Sequence, residues 1–166
     1  SYENCSYAYY LQYVLRIRPV ELSNALAFGT AAHKAMLPYV VAHAEGETVD
    51  TVSLFNLAWQ EQLDNHVIEF TSYTEEELTT IGQKLAQTFP AAWDRTGLRV
   101  VKVNGKAMVE QRLHLPLGED IVLSGEPDII AERIDDPSRR LSLPDLKLPR
   151  SAAFTGFAQV SDQLTA

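Results

Sequence analysis

The chain has little of what would place it in an oxidising compartment or a membrane. Cys5 is its one cysteine, so no disulfide can form within the chain. No uninterrupted apolar run reaches the roughly 18 residues that a membrane span needs. The first residues also lack the basic start and apolar stretch of a signal peptide. We therefore expect a cytoplasmic protein without membrane association.

Positive charge is scarce as well. The formal net charge of −8 weighs against nonspecific binding of nucleic acid by bulk electrostatics. The charge is uneven, because residues 45–77 contain nine acidic residues and no Lys or Arg. Basic residues lie before and after that stretch, so the sequence permits a basic face opposite an acidic one.

The first 97 residues have helical patterns. Apolar spacing predicts helices over residues 7–20, 31–43 and 52–70, the second with Thr30 as its N-cap. Thr74 followed by Glu77 matches a capping box. It predicts a further helix through residue 93, which Pro90 kinks or ends.

The pattern then changes to that of strands. Residues 98–103 and 106–115 alternate around Asn104-Gly105, a strong hairpin signal. Residues 121–134 and 141–148 are two further strand-like runs, and residues 154–166 predict the start of a closing helix. The chain is predicted to be one α+β domain over residues 1–166, with helices over about 1–97 and the sheet over about 98–150.

Two aspartates are predicted to face each other across a turn. If residues 135–138 form the turn, its centre at 136.5 is also the midpoint of Asp128 and Asp145. Opposed like charges on paired strands are destabilising, and a divalent cation between them removes the penalty. Lys147 shares the face of Asp145 by the two-residue period of a strand. Phosphodiester hydrolysis suits this set, whereas a surface hairpin with an Asp–Lys pair is the alternative.

Several segments resemble, in order and spacing, the PD-(D/E)XK nuclease superfamily and, within it, the RecB-like exonuclease family. They are a Cys before an aromatic-rich helix (residues 2–15), a Gly-x-x-x-His helix start (29–35), a strand leading to a first aspartate (109–110 and 125–128), a D-x-K strand (143–147) and the start of a Gln-x-x-x-Tyr helix (163–166). The resemblance implies a restriction-endonuclease-like core. Such a core is a mostly antiparallel central sheet flanked by helices, here with a helical insertion after the first core helix.

The resemblance also implies roles for particular residues. His33, Asp128 and Asp145 match metal ligands for Mg²⁺ or Mn²⁺, and Lys147 matches the catalytic lysine. Gln163 matches a residue near the site and the DNA backbone. Glu110 matches a recurring acid that could equally form a structural salt bridge. Glu126 is a further candidate for the site, with a solvated acid at a hairpin edge as the alternative. Lys34 and Arg150 are candidates for DNA contacts.

The same resemblance suggests a fragment of a longer protein. The chain ends at Ala166, where the next residue in the family would be the Tyr of the closing helix, and its start lies inside the first motif. Some relatives hold a four-iron cluster with one Cys near the start and three beyond the catalytic region. Cys5 fits the first position, so an iron–sulfur cluster is possible only in a longer parent chain.

Three functions stay open from the sequence. The first is a metal-dependent DNA exonuclease for repair, recombination or processing, with a helicase domain or subunit as a candidate partner. The second is a catalytically inactive module of the same fold that binds DNA or serves as a scaffold in a helicase–nuclease. The third is an acidic protein-interaction domain built on residues 45–77.

Overall fold

Helices precede strands along the chain, as the sequence predicts. The computed structural model describes residues 5–17, 21–118 and 121–147, and the backbone of residues 159–162. The helices are α1 (Ser6–Tyr9), which continues as a π-helical turn over Tyr10–Val14, α2 (Asn24–Glu45), α3 (Thr51–Asn65) and α4 (Glu75–Arg95). Among the helices of these residues, none has the length and hydropathy of a membrane span.

Helix α2 begins earlier than predicted. Its N-cap is Ser23, whose side chain accepts a hydrogen bond from the Leu26 N–H, so the assignment of Thr30 as the cap is wrong. Thr30 lies within the helix, where its hydroxyl donates to the Leu26 carbonyl at 2.9 Å. Both residue types can cap a helix, and Ser23 does so because the strand β1 (Glu21–Ser23) delivers it in an extended conformation.

The helix predicted from residue 52 ends at Asn65 instead of residue 70. Val67–Glu69 forms a strand, β2, that pairs in parallel with β1. The apolar spacing of Val67 and Ile68 fits a helix equally well, and only pairing with the distant β1 decides for the strand. The N-terminal helix is also shorter than predicted, because its helical turns stop at Val14 and Arg16 has a left-handed φ of 55°.

Helix α4 continues through its proline. The predicted capping box is confirmed, since Thr74 and Glu77 exchange both hydrogen bonds. Pro90 has no N–H to offer the carbonyl four residues earlier, that of Ala86. The hydroxyl of Thr51 in α3 donates to this carbonyl at 2.8 Å instead. A side chain of the neighbouring helix therefore satisfies the acceptor that the proline leaves open.

The core lies where α2, α3 and α4 meet and extends to the first strands. Small residues on α2, among them Ala27, Ala31 and Ala35, are fully buried. They allow close approach of α3, whose Phe55 and Trp59 stack parallel with ring centroids 6.4 Å apart. Where α3 crosses α4, the ring of Phe55 lies over Gly82. This packing holds α2 in place behind the strands.

The strand region forms small, mostly antiparallel sheets. The strands are β3 (Leu98–Val100), β4 (Lys102–Val103), β5 (Lys106–Ala107), β6 (Leu113–Pro116), β7 (Val122–Gly125), β8 (Ala131–Arg133), β9 (Leu141–Ser142), β10 (Pro144–Lys147) and β11 (Gln159–Asp162). The largest sheet within the described residues has the order β3-β8-β9, and the remaining strands pair as β4-β5, β6-β7 and β10-β11.

Two turn predictions are confirmed by the pairing. Asn104 and Gly105 both have positive φ, 52° and 79°, as a type I′ turn requires, and they join β4 to β5. Ala131 pairs with Ser142 and Glu132 with Leu141, which centres the second turn at 136.5 as predicted. The predicted single strand over residues 121–134 is in fact two strands, β7 and β8, with Pro127 between them.

The prediction of a closing helix is wrong for the residues that the structure describes. Gln159–Asp162 is an extended strand, β11, which pairs antiparallel with β10 in the register Asp145↔Ser161 and Lys147↔Gln159. The other residues of that predicted helix, including Gln163, lie outside the described residues, as does Arg150.

Replacement of Gly82 by Ala should destabilise the protein. The added Cβ would lie 1.9 Å from Cζ of Phe55, whose side chain is fully buried and cannot move without opening the core. We expect a loss of about 1–3 kcal/mol in the free energy of unfolding, measured by urea denaturation. The matched control is Gly29→Ala within α2, where nothing lies within 4 Å of the added Cβ. That variant should gain about 0.5–1 kcal/mol, because Ala favours helix over Gly.

Candidate metal centre

Three elements deliver the predicted site residues to one place. His33 comes from α2, and Asp128 from the segment between β7 and β8. Asp145 and Lys147 come from β10. The Nδ1 atom of His33 lies 3.9 Å from Oδ2 of Asp128, and the Lys147 ammonium lies 2.7 Å from Oδ2 of Asp145. A histidine, two carboxylates and a lysine therefore meet at β10.

The backbone of Leu146 is hydrogen-bonded to two of these side chains. Its N–H donates to Oδ2 of Asp128 at 2.9 Å, and its carbonyl accepts a hydrogen bond from Nε2 of His33. One edge of β10 pairs with β11, and in an antiparallel strand the peptide groups of alternate residues point to opposite edges. At Leu146, side chains from two other elements thus take the place of a neighbouring strand.

The two aspartates do not face each other in a ladder. Pairing between β8 and β9 stops at Ala131↔Ser142, and the Asp128 carbonyl instead accepts a bond from the Glu110 N–H at 2.9 Å. Pro144 follows soon after β9 and has no N–H to extend the ladder. The carboxylate of Asp128 accepts a hydrogen bond from β10. Asp128 and Asp145 are therefore brought together by this side-chain contact and not by the register of paired strands.

The two carboxyl groups have opposite pKa shifts. The hydrogen bond from Lys147 lowers the pKa of Asp145. Burial raises the pKa of Asp128, and the hydrogen bond and charge of Asp145 raise it further, against the lowering effects of the Leu146 N–H and His33. This is the behaviour of two adjacent acids of which one ionises more readily than the other. A bound cation would allow both to be ionised, since it supplies the compensating charge.

The donors present suit a hard divalent cation. Carboxylate and carbonyl oxygens are the ligands that Mg²⁺ and Mn²⁺ prefer, and an imidazole nitrogen is compatible with Mn²⁺. Within the described residues no group of three or more His, Cys, Asp or Glu side chains is arranged to hold a metal ion. The orientation of the His33 ring is one reason that these side chains do not form a three-ligand group. Its Nε2 donates a hydrogen bond to the Leu146 carbonyl, and its Nδ1 is 3.9 Å from Oδ2 of Asp128.

Three further candidates, Lys34, Glu126 and Glu110, make other contacts. Lys34 is held by an ion pair with Glu61 of α3, at 2.7 Å. Glu126 is exposed and 3.5 Å from the guanidinium of Arg112. Glu110 contributes its backbone to Asp128, and its side chain is exposed. The role of Leu146 was missed, because a backbone group leaves no signature in the residue type.

Comparison with known proteins identifies the family. The model of the PD-(D/E)XK nuclease superfamily matches residues 1–166, and the chain belongs to this superfamily. No match was found among curated proteins or among solved structures. Members of the superfamily are generally metal-dependent nucleases. The α+β architecture with antiparallel sheets agrees with the restriction-endonuclease-like fold that the sequence predicts.

Removal of the Lys147 charge should raise the pKa of Asp145. The hydrogen bond from Lys147 is the main cause that lowers this pKa, and Lys147→Met removes it with little change in side-chain length. The shift can be followed by carboxyl ¹³C NMR titration of metal-free protein. Lys147→Arg keeps a cationic donor and serves as the control, which should leave the Asp145 pKa low. An unchanged pKa in Lys147→Met would show that the pair at 2.7 Å does not form in solution.

Proposed function

We propose that the chain is a RecB-like exonuclease that hydrolyses DNA with Mg²⁺ or Mn²⁺. The observation that supports this most strongly is the position of three side chains, Asp128, Asp145 and Lys147, close to one another at Leu146. The side chain of His33 is hydrogen-bonded to the carbonyl of the same Leu146. We place the protein in the cytoplasm, with DNA as substrate and a helicase domain or subunit as its partner in repair or recombination.

Asp128, Asp145 and His33 would hold the cation. When bound, the cation supplies a Lewis acid and a water of lowered pKa for attack on phosphorus. His33 now donates from Nε2 to a carbonyl, which can only accept, so this nitrogen carries a proton in the structure described. To become a ligand through Nε2, His33 must give up that proton and leave the Leu146 carbonyl. The carbonyl is then free as a further oxygen donor at the same place.

Lys147 would act on the phosphate. Its ammonium is more than half exposed and lies on the same face of β10 as Asp145, by strand alternation. From there it can stabilise negative charge that develops on a phosphodiester oxygen. The ion pair with Asp145 holds the flexible lysine side chain beside the site before substrate arrives.

Substitution of the carboxylates should abolish cleavage. Asp128→Asn and Asp145→Asn should each lower the rate on linear DNA with Mn²⁺ or Mg²⁺ by about a thousandfold, since each removes a ligand charge. Linear single-stranded, linear double-stranded and circular DNA, assayed in parallel, separate exonuclease from endonuclease action. The control is Asp94→Asn, the same change at a carboxylate of α4 that is paired with His43. Equal activity of Asp145→Asn and Asp94→Asn would refute the assignment.

A second candidate function is a non-catalytic DNA-binding or scaffold module. It is favoured by the hydrogen bond that occupies His33 and by the lack of a three-ligand arrangement in the residues described. Mn²⁺ titration by calorimetry separates the two functions. A nuclease should bind Mn²⁺ in a way that Asp145→Asn abolishes and His33→Ala weakens by about tenfold or more. A scaffold should show no binding that depends on Asp145.

A further inference from the structure

The hairpin of β6 and β7 has one face that carries aliphatic side chains alone. Leu113 pairs with Gly125 and Leu115 with Leu123, and the Leu117 N–H continues the register by donating to the Ile121 carbonyl at 2.8 Å. Directly paired residues share a face. One face of the hairpin is therefore built from aliphatic side chains alone, and we call it the apolar hairpin face: Leu113, Leu115, Leu117, Ile121 and Leu123.

The opposite face is more polar. His114 pairs with Ser124, and their side chains are hydrogen-bonded at 2.8 Å. Pro116 and Val122 follow on that side. An antiparallel hairpin with this alternation normally buries its apolar side. Here the apolar hairpin face is exposed to solvent, from 39% at Leu113 to 63% at Ile121.

The area of this face is similar to that of the largest apolar patch on a typical monomer. Five large aliphatic side chains that are each about half exposed amount to roughly 500 Å² of contiguous apolar surface, a size that is often functional. Two such faces in contact would bury about 1,000 Å² in total, the lower limit for a specific interface. The two copies would therefore associate weakly and reversibly.

A second copy of the chain fits the face by its chemistry. A two-fold interface requires a patch that complements itself. A face without charged groups meets this condition, whereas a patch of one charge sign repels its own copy. Nucleic acid and anionic membranes are disfavoured, because the face offers no cation and the chain carries a net charge of −8.

We propose that the apolar hairpin face is a homodimer interface, in which two hairpins pack face to face. This inference does not depend on the nuclease assignment, since it needs neither metal nor DNA. The interface would lie next to the candidate centre, because β7 ends three residues before Asp128. Net repulsion between the copies opposes association, so added salt should tighten the dimer, whereas a salt-bridged dimer would weaken.

Sedimentation equilibrium of the whole 166-residue chain, up to about 1 mM, tests the proposal. The wild-type protein should move from monomer to dimer with rising concentration, and more readily at high salt. The double variant Leu115→Glu with Leu123→Lys should stay monomeric. Its two charges are directly opposed on the strands, so they support the hairpin and leave the net charge unchanged.

The matched control is His114→Glu with Ser124→Lys. It places the same two charges on the same two strands, one residue along and on the opposite face. This variant should dimerise like the wild type, and circular dichroism should show both variants folded. A wild-type protein that stays monomeric throughout would overturn the proposal. So would dimerisation of the Leu115/Leu123 variant, or an equal loss of dimer in both variants.

Discussion

The backbone N–H and carbonyl of Leu146 are hydrogen-bonded to two side chains from elsewhere in the chain, and the candidate centre depends on these two bonds. Asp128 accepts from its N–H, and His33, 113 residues away, donates to its carbonyl. A strand edge left without partners in a half-buried place loses the free energy of its hydrogen bonds. Here the side chains that supply those bonds are the same ones predicted to hold the metal, so the geometry of the centre and the position of β10 are set together.

The helices contribute by making α2 a fixed platform for His33. The small residues of α2 bring α3 close, and α3 in turn contacts α4 at Gly82 and through the bond from Thr51 to the Ala86 carbonyl. Neither contact touches the centre. Each nevertheless limits how far His33 can move relative to β10, because a close-packed core resists displacement of the helices that form it.

The two aspartates of the candidate centre have unequal electrostatic surroundings. The hydrogen bond from Lys147 lowers the pKa of Asp145, whereas burial and the neighbouring acid raise the pKa of Asp128. A bound cation would favour the ionised form of both carboxyl groups, since it supplies the compensating charge. The chain as a whole is acidic, so the lysine and the cation would supply locally the positive charge that DNA requires.

Local signals in the sequence determined the turns and the capping box, because each depends on residues within one turn or one hairpin. Asn104-Gly105 and Thr74 with Glu77 are of this kind. Tertiary structure decided the start of α2 at Ser23, the passage of α4 through Pro90, and the strands β2 and β11, since each requires a partner that is remote in the chain. The contact of His33 with the Leu146 carbonyl belongs to the same group. Residue types identify the donors, but only the packing of α2 against β10 decides which atom each donor meets.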